Sequence, residues 1–178
     1  MTLTVYHRYI LDCLREIPYI QRGNLLWLTK LQFGTDLHQF NRDLMLLYHL
    51  NRLTLHGNNG SYVSLPCAKI NRPLLIAADI MREVCGDSLP TFLRGTPPCV
   101  LSFYLQDKRG YLDFKVVPVP PGSEQLVLEQ LRRAYPSFKC TWLFLPESHE
   151  QIEKLHTENP ACFVFRNKAG GYDFLRKT

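Results

Sequence analysis

Apolar residues recur at helical spacing in two short stretches near the start of the chain. Residues 5 to 17 predict an amphipathic helix that Pro18 closes, because the apolar positions repeat about every 3.6 residues. Residues 22 to 34 predict a second, shorter helix with Asn24 as N-cap and Gly34 as its C-terminal stop. The two helices are therefore expected to follow each other almost directly.

A third amphipathic helix, over residues 36 to 53, is followed at once by a hairpin. Its apolar stripe is formed by Leu37, Phe40, Leu44, Leu47 and Leu50. Its polar side carries His38, Gln39, Arg42 and His49. Residues 51 to 66 have the character of two short strands, and Asn59-Gly60 supplies the positive φ angles that a type I′ turn requires.

The remainder of the chain predicts a second domain. Its predicted elements are a helix at 72 to 85, a connection at 86 to 98, two strands within 99 to 118, a helix at 124 to 136, a strand at 140 to 145, a helix at 148 to 159 and two strands within 161 to 177. This order, α-β-β-α-β-α-β-β, indicates a mixed sheet flanked by helices. An α+β protein is expected, with domains at residues 1–66 and 67–178.

Composition is typical of a chain that folds throughout. Of its 178 residues, 46% are hydrophobic and 21% are charged, and there is no long polar tract. No apolar run approaches the roughly 18 residues of a membrane span, so a soluble, cytoplasmic protein is expected. The six cysteines lack C-x-x-C spacing and most have apolar neighbours, which predicts reduced thiols that pack as small hydrophobic residues.

Three helices followed by a hairpin give residues 5 to 66 the order of a winged helix-turn-helix, a family that they resemble. In that family the third helix enters the major groove of DNA, and the hairpin, or wing, touches the backbone or the minor groove. The resemblance therefore implies binding to double-stranded DNA. The candidate contacts on the third helix and the wing are Gln39, Asn41, Arg42, His56, Asn58 and Asn59.

Charge in this segment leaves a second interpretation open. Residues 1 to 66 hold six Lys or Arg residues against four Asp or Glu residues, and two of the acids, Asp36 and Asp43, would repel phosphates. The wing tip carries neither Lys nor Arg. The alternative to DNA binding is a protein-interaction module with the same fold, which forms a homodimer or binds another protein.

One short segment of the second domain has the residue types of a nuclease site. Asp113 and Lys115 share one face of a predicted strand, where a carboxylate can hold magnesium and a lysine can stabilise charge at an attacked phosphate. The segment resembles the (D/E)-x-K half of the restriction-endonuclease-like fold, which implies an inactivated core or a metal-dependent nuclease. The nearest second acid, Asp107, is expected in a hairpin turn. The other interpretation is an exposed ion pair.

Other catalytic motifs are absent from the sequence. The chain contains no phosphate-binding P-loop, no nucleophile elbow and no His-Glu-x-x-His run, so no metal or other cofactor is expected. As a whole, the predicted architecture resembles replication-relaxation proteins and related accessory proteins of bacterial mobile elements. That resemblance implies a non-enzymatic DNA-binding accessory protein with no membrane partner.

Overall fold

The computed structural model describes residues 2–107, 110–136 and 139–176, which divide into two compact units, Met1–Leu89 and Pro90–Thr178. The fold is α+β, as predicted, and a mixed sheet forms the second unit. In the described part of the chain, no helix has the length and the apolar character needed to cross a membrane.

The first unit combines helices with a small antiparallel sheet. Its elements are α1 (Val5–Glu16), β1 (Tyr19–Gln21), α2 (Arg22–Phe33), α3 (Leu37–His49), β2 (Thr54–His56), β3 (Tyr62–Ser64) and α4 (Arg72–Cys85). Strand β3 lies in the centre of the sheet, so Val63 pairs with both Ile20 of β1 and Leu55 of β2. Strand β1 was not predicted, because its three residues are too few to show a strand period.

Helix α1 buries only part of the apolar side that the sequence predicts. Its buried residues are Tyr6, His7, Ile10, Cys13 and Leu14. Val5, the first apolar residue of the predicted helix, is 71% exposed, whereas Leu14 and Ile17 of the same prediction are buried. Tyr6 and Tyr9 each pack edge-on against Phe33 of α2, with ring centroids 5.4 Å apart in both pairs. These aromatic contacts connect α1 to α2.

Helices α2 and α3 are separated by a short turn. Gly34 ends α2 with a left-handed φ of 68°, as predicted, and Asp36 caps α3 by accepting from the Gln39 backbone N–H at 2.8 Å. The middle of the predicted apolar stripe of α3 is buried, and its two ends, Leu37 and Leu50, are exposed. Helix α3 is therefore anchored by its centre.

The sequence predicts Asn24 as the N-cap of α2, and this prediction is wrong. The cap position lies three residues earlier, at Gln21, and Asn24 is buried. Its Nδ2 donates to Oδ1 of Asp79 on α4 at 2.6 Å, while Gln21 Nε2 donates to Oδ2 of the same carboxylate at 3.0 Å. The amide joins two helices instead of starting one.

Helix α4 belongs to the first unit, so the units divide at a different point from the predicted one. The prediction placed the boundary after Pro66, whereas the compact units divide after Leu89. Trp27 of α2 donates from Nε1 to the carbonyl of Gly86, the residue that follows α4, at 2.8 Å. This bond and the Asp79 contacts bind α4 to α2 and β1, which a helix of the second domain would not do.

The second unit is a six-stranded sheet with a helix on one face. Its elements are β4 (Thr91–Arg94), β5 (Leu101–Asp107), β6 (Gly110–Val119), α5 (Glu124–Ala134), β7 (Thr141–Pro146), β8 (Ala161–Arg166) and β9 (Tyr172–Arg176). The strands lie in chain order, and β7 runs parallel to both β6 and β8 while the other pairs are antiparallel. Leu128 and Leu131 of α5 share a core with Trp142 and Phe144 of β7.

Two predicted elements of this unit differ in the structure. The connection predicted at 86 to 98 contains the four-residue strand β4, which pairs with β5. Pro90 precedes this strand and Gly95 follows it. The helix predicted at 148 to 159 is a 3₁₀ helix, His149–Lys154, and Leu155 after it adopts an extended conformation. Strand β4 was not predicted because turn-forming residues flank it. The helix at 148 to 159 was predicted too long because its first turn has a capping pattern typical of an α-helix.

All six cysteines are free, and five of them are buried. Burial raises the pKa of Cys13, Cys85 and Cys140 to about 12 each. Cys67, just after β3, is exposed. The prediction that the thiols pack as small hydrophobic residues is confirmed for the five buried ones.

Candidate nucleic-acid interface

Helix α3 presents the polar side that the sequence predicted. His38, Gln39, Arg42 and His49 are all exposed. The Arg42 side chain keeps 68% of its accessible surface, whereas Phe40 and Leu44 on the other side are almost completely buried. Gln39 and Arg42 therefore project from a helix whose opposite face is fixed in the core.

Arg22, the first residue of α2, connects α3 to the hairpin loop of residues 57–61. Its Nη2 donates to Oδ1 of Asn41 on α3 at 2.6 Å, and its Nη1 donates to the carbonyl of Asn59 at 2.7 Å. The Arg22 backbone N–H also donates to the Ser61 carbonyl at 2.9 Å. One guanidinium group thus holds helix and loop together and adds a positive charge beside the loop.

Sequence reasoning did not find Arg22. The residue is 19 positions from Asn41 and 37 positions from Asn59, so no local pattern links the three. Asn41 was predicted as a base contact, and the structure commits its carbonyl oxygen to Arg22. The surface formed by Arg22, Gln39, Asn41, Arg42, Asn58 and Asn59 is called the α3–loop surface below.

The hairpin loop is longer than the predicted two-residue turn. Strands β2 and β3 pair only as far as His56 and Tyr62, so residues 57–61 make the reversal. Positive φ angles occur at Gly57, Asn59 and Gly60. The prediction of positive φ at Asn59-Gly60 is confirmed, but a third left-handed position spreads the reversal over five residues. Asn58 and Asn59 are exposed in this loop, as predicted for the tip.

His56 lies in the sheet and not at the tip of the loop. Its Nε2 is 2.8 Å from Ser64 Oγ, and its ring centroid is 5.0 Å from that of Tyr19. Tyr19 also packs against Tyr62, at 5.6 Å between centroids. The expectation that His56 stands with the asparagines at the tip is wrong, because β2 continues through it.

The two acids that the sequence placed against phosphate binding are both used within the fold. Asp43 is buried, and its Oδ1 lies 3.3 Å from Nε2 of His7 on α1. The Thr4 backbone N–H donates to His7 Nδ1, so the hydrogen on Nε2 points to Asp43. Asp36 accepts from the Gln39 backbone N–H. Asp43 therefore ties α3 to α1, and its Oδ1 also lies 3.8 Å from Nε of Arg42, so it offsets part of the positive charge on the α3–loop surface.

Asp113 and Lys115 form an ion pair in which the lysine is buried and the aspartate is half-buried, so the interpretation of an exposed pair is wrong. Lys115 Nζ lies 3.0 and 3.2 Å from the two carboxylate oxygens, and the lysine side chain is only 6% exposed. The two residues share one face of β6, as predicted. Because β6 lies between β5 and β7 in the sheet, the lysine on this face is covered by neighbouring side chains, including the Tyr135 ring 5.3 Å away.

This pair does not fit a magnesium site. Both oxygens of Asp113 accept from Lys115, and the residues that the structure describes contain no group of three or more His, Cys, Asp or Glu side chains placed to hold a metal. Asp107 ends β5, and its side chain lies outside the described part of the chain. Magnesium needs several oxygen ligands, which one committed carboxylate does not supply.

Comparisons with protein-family models, curated proteins and solved structures gave no match. The α3–loop surface is the place where exposed amide and guanidinium side chains, a fixed loop and positive charge come together.

Proposed function

We propose that residues 1–89 form a winged helix-turn-helix domain that binds double-stranded DNA and catalyses no reaction on it. In this proposal α3 enters the major groove, Gln39 and Arg42 contact base edges, and the hairpin loop lies against the phosphate backbone. The protein then serves as an accessory of a bacterial mobile element, as the resemblance to replication-relaxation proteins implies.

The order of elements supports the proposal. Helices α1, α2 and α3 precede the hairpin, the turn between α2 and α3 contains a left-handed Gly34, and β1 pairs with the second strand of the hairpin. A short turn between two helices is the arrangement from which a recognition helix projects. The added strand β1 fixes the hairpin to the helices that precede it.

The observation that carries the proposal is the pair of hydrogen bonds from Arg22 to Asn41 and Asn59. A DNA-binding helix and a wing must keep a fixed spacing in order to meet a groove and its flanking backbone at the same time. The guanidinium group sets that spacing. It also gives the loop the positive charge that its own sequence lacks.

The charge on the α3–loop surface limits the affinity that the proposal requires. Arg22 and Arg42 are its guanidinium groups, and each neutralised phosphate contributes about −0.9 to the slope of log affinity against log salt. Two such contacts predict a slope of about −2. Binding is therefore expected to be modest and to weaken only moderately with salt.

The test is fluorescence anisotropy with a labelled random duplex at about 50 and about 200 mM salt. Arg42→Ala is expected to weaken binding about tenfold, the loss of one charge-assisted contact. The matched control is Arg15→Ala on α1, because the Arg15 side chain is 70% exposed and that of Arg42 is 68% exposed. The control should change affinity less than about twofold.

Two outcomes would overturn the proposal: no binding at the lower salt, or equal effects of the two substitutions. A magnesium-dependent cleavage assay accompanies the binding test, with Asp113→Ala as a comparison. We expect no cleavage by either protein. Cleavage by the wild type that Asp113→Ala abolishes would show a nuclease and contradict the non-enzymatic part of the proposal.

A second candidate function is a protein-interaction module. Met45 and Tyr48 on α3 are each 41% exposed, and Met45 lies one helical turn from Arg42. Exposed apolar side chains on this helix favour contact with a protein. If duplex binding is absent at low salt, Met45→Ser is the next variant, with self-association measured by analytical ultracentrifugation.

A further inference from the structure

The second unit contains an open cavity of about 760 Å³. Cavities of about 300 to 1,000 Å³ are typical of sites for small organic ligands. The wall of this one combines two chemical types, since aromatic Tyr135 and Trp142 stand near the cationic Arg132 and Lys139. Asn159 adds a side-chain amide, and Glu158 is the acid among the lining residues. The lining of the cavity therefore combines aromatic and positively charged side chains with one acidic side chain.

The two cations of the cavity are available to a ligand. Arg132 and Lys139 are exposed, and in the described part of the chain neither makes an ion pair. The adjacent Arg133 differs, because its Nη2 lies 3.8 Å from Oε2 of Glu129 on the same helix. Positively charged side chains attract a negatively charged ligand group most strongly when no acidic side chain of the protein neutralises them.

The aromatic part of the cavity is held in place by its neighbours. The Tyr135 hydroxyl donates to the Thr96 carbonyl at 3.0 Å, and Lys115 Nζ lies 5.3 Å from the centroid of the tyrosine ring. Trp142 is almost fully buried and meets Tyr135 edge-on at 5.6 Å between centroids. A ring fixed by a hydrogen bond, an ammonium group and a second ring loses little entropy when a ligand packs on it.

We propose that this cavity binds a phosphorylated nucleoside. The base packs on the Tyr135 side of the cavity, and the phosphate lies between Arg132 and Lys139. Such a ligand matches both the aromatic and the cationic part, whereas a purely apolar ligand would leave the two cations unused. The same chemistry is offered by a free mononucleotide and by the terminal nucleotide of a single strand.

The test is isothermal titration calorimetry of the full chain with AMP, adenosine and inorganic phosphate as separate probes. AMP is expected to bind saturably at millimolar concentration or below, and adenosine and phosphate each about tenfold more weakly or worse, because each fills half of the site. Arg132→Ala and Lys139→Ala should each weaken AMP binding about tenfold. Arg133→Ala, one position along the same helix, is the matched control and should leave it unchanged.

The proposal is overturned if AMP gives no saturable heat, or if Arg132→Ala and Arg133→Ala weaken binding equally. Two variants on different segments guard against a single misfolded protein, and far-ultraviolet circular dichroism checks the fold of each. A third arm compares AMP with a short oligothymidine that does or does not carry a 5′ phosphate. Tighter binding of the phosphorylated strand assigns the site to a strand end, and tighter binding of AMP assigns it to a free nucleotide.

This inference is independent of the duplex-binding proposal. Arg42→Ala on α3 should leave AMP binding unchanged, and Arg132→Ala should leave duplex affinity unchanged to within about twofold. A chain that binds AMP without duplex supports the cavity and refutes the α3–loop surface. The reverse result refutes the cavity alone.

Discussion

At the scale of single residues, Arg22 performs a role that no residue of the hairpin loop performs. The loop offers short amide side chains and three left-handed backbone positions, which give it shape but no charge. The Arg22 guanidinium, which lies outside the loop, supplies the missing positive charge. It uses one nitrogen to bond helix α3 and another to bond the loop. Because a guanidinium has donors in a rigid fork, it can hold two partners at a set distance.

Replacing Arg22 is expected to loosen the loop. Both Arg22→Ala and Arg22→Lys should speed hydrogen exchange at the Gly60 amide, which donates to the Gly57 carbonyl, because alanine has no donor and the single lysine nitrogen does not replace two guanidinium nitrogens held apart in a rigid fork. The free energy of unfolding should fall by about 1 to 2 kcal/mol. Exchange is followed by mass spectrometry, with Arg42→Ala as the variant that should leave Gly60 unaffected.

The lysine variant separates charge from geometry. If the Gly60 amide of Arg22→Lys exchanges as slowly as that of the wild type, a single positive charge is sufficient to hold the loop. The two separate guanidinium donors are then not required. If Arg22→Lys exchanges like Arg22→Ala and also binds duplex as weakly, the fork geometry is what matters. Unchanged exchange in both variants would show that Arg22 does not hold the hairpin loop in place.

Residue roles were predictable where the sequence shows a local pattern. The exposed side of α3, the positive φ angles at Asn59-Gly60 and the buried character of most cysteines all follow from neighbours within a few positions. Asp43 was not predictable, because its partner His7 lies 36 positions away and a carboxylate on a helix is usually solvated. Because His7 of α1 is its buried partner, Asp43 connects two helices and is not a solvated surface residue.

At the scale of elements, the side chain of Gln151 connects the 3₁₀ helix to the rest of the second unit. Its Oε1 accepts from the Glu147 and Ser148 backbone N–H groups, at 2.7 and 3.1 Å. Its Nε2 donates to the Val119 carbonyl and to Glu124 Oε1, at 3.0 and 2.9 Å. The buried amide is thus fully engaged, which explains why the segment turns tightly here and does not continue as the predicted α-helix.

Glu124, at the start of α5, is expected to make this region sensitive to acid. Its own backbone N–H and then Gln151 Nε2 donate to the carboxylate and hold the pKa of Glu124 below its ordinary value of 4.5. The stabilisation is complete above that ordinary value and is lost as the pH falls through the lowered value of the folded state. Glu124→Gln removes the titration, so its unfolding should depend less on pH.

The measurement uses Trp142 fluorescence in a Trp27→Phe background, so that unfolding of the second unit alone is followed. The chain has two tryptophans, and one lies in each unit. The urea midpoint of the parent should fall more than that of Glu124→Gln between neutral pH and about pH 3. Glu129→Gln, on the exposed side of the same helix, serves as the control and should follow the parent. Parallel curves for parent and Glu124→Gln would contradict the assignment.

Elements were predictable when they were long and amphipathic. Helices α3, α4 and α5 and strands β5 to β9 were all expected near their observed places, whereas β1 and β4, of three and four residues, were not. Short strands gain their stability from a neighbouring strand and not from their own pattern. Strand β1 exists because β3 offers it a partner from Tyr62 to Ser64.

At the scale of the whole molecule, the position of α4 decides what the first unit is. Three helices and a hairpin form a recognisable module on their own, which is why the sequence placed a boundary after Pro66. The structure adds α4 to that module through side chains with no sequence signature, since Asp79 bonds Gln21 and Asn24 over more than 50 positions. Contacts at that range are invisible to periodicity.

Two fragments distinguish the two boundaries, and we expect residues 1–89 to fold alone while residues 1–66 do not fold stably. The shorter fragment leaves Asn24, Gln21 and Trp27 without their acceptors on Asp79 and Gly86. Three lost hydrogen bonds correspond to about 3 kcal/mol and, for a domain of this size, to a melting temperature lower by about 12 °C or more. Circular dichroism melts and Trp27 fluorescence measure the difference.

Duplex binding by the same fragments links the boundary to function. If the α3–loop surface is complete within the first unit, residues 1–89 should bind the random duplex within about threefold of the full chain, because no contact from Pro90 onward is required. Residues 1–66 should bind only at temperatures where they are folded. Equal melting of the two fragments would show that α4 is a neighbour and not a part of this unit. If residues 1–89 bind the duplex much more weakly than the full chain, the second unit contributes to duplex binding.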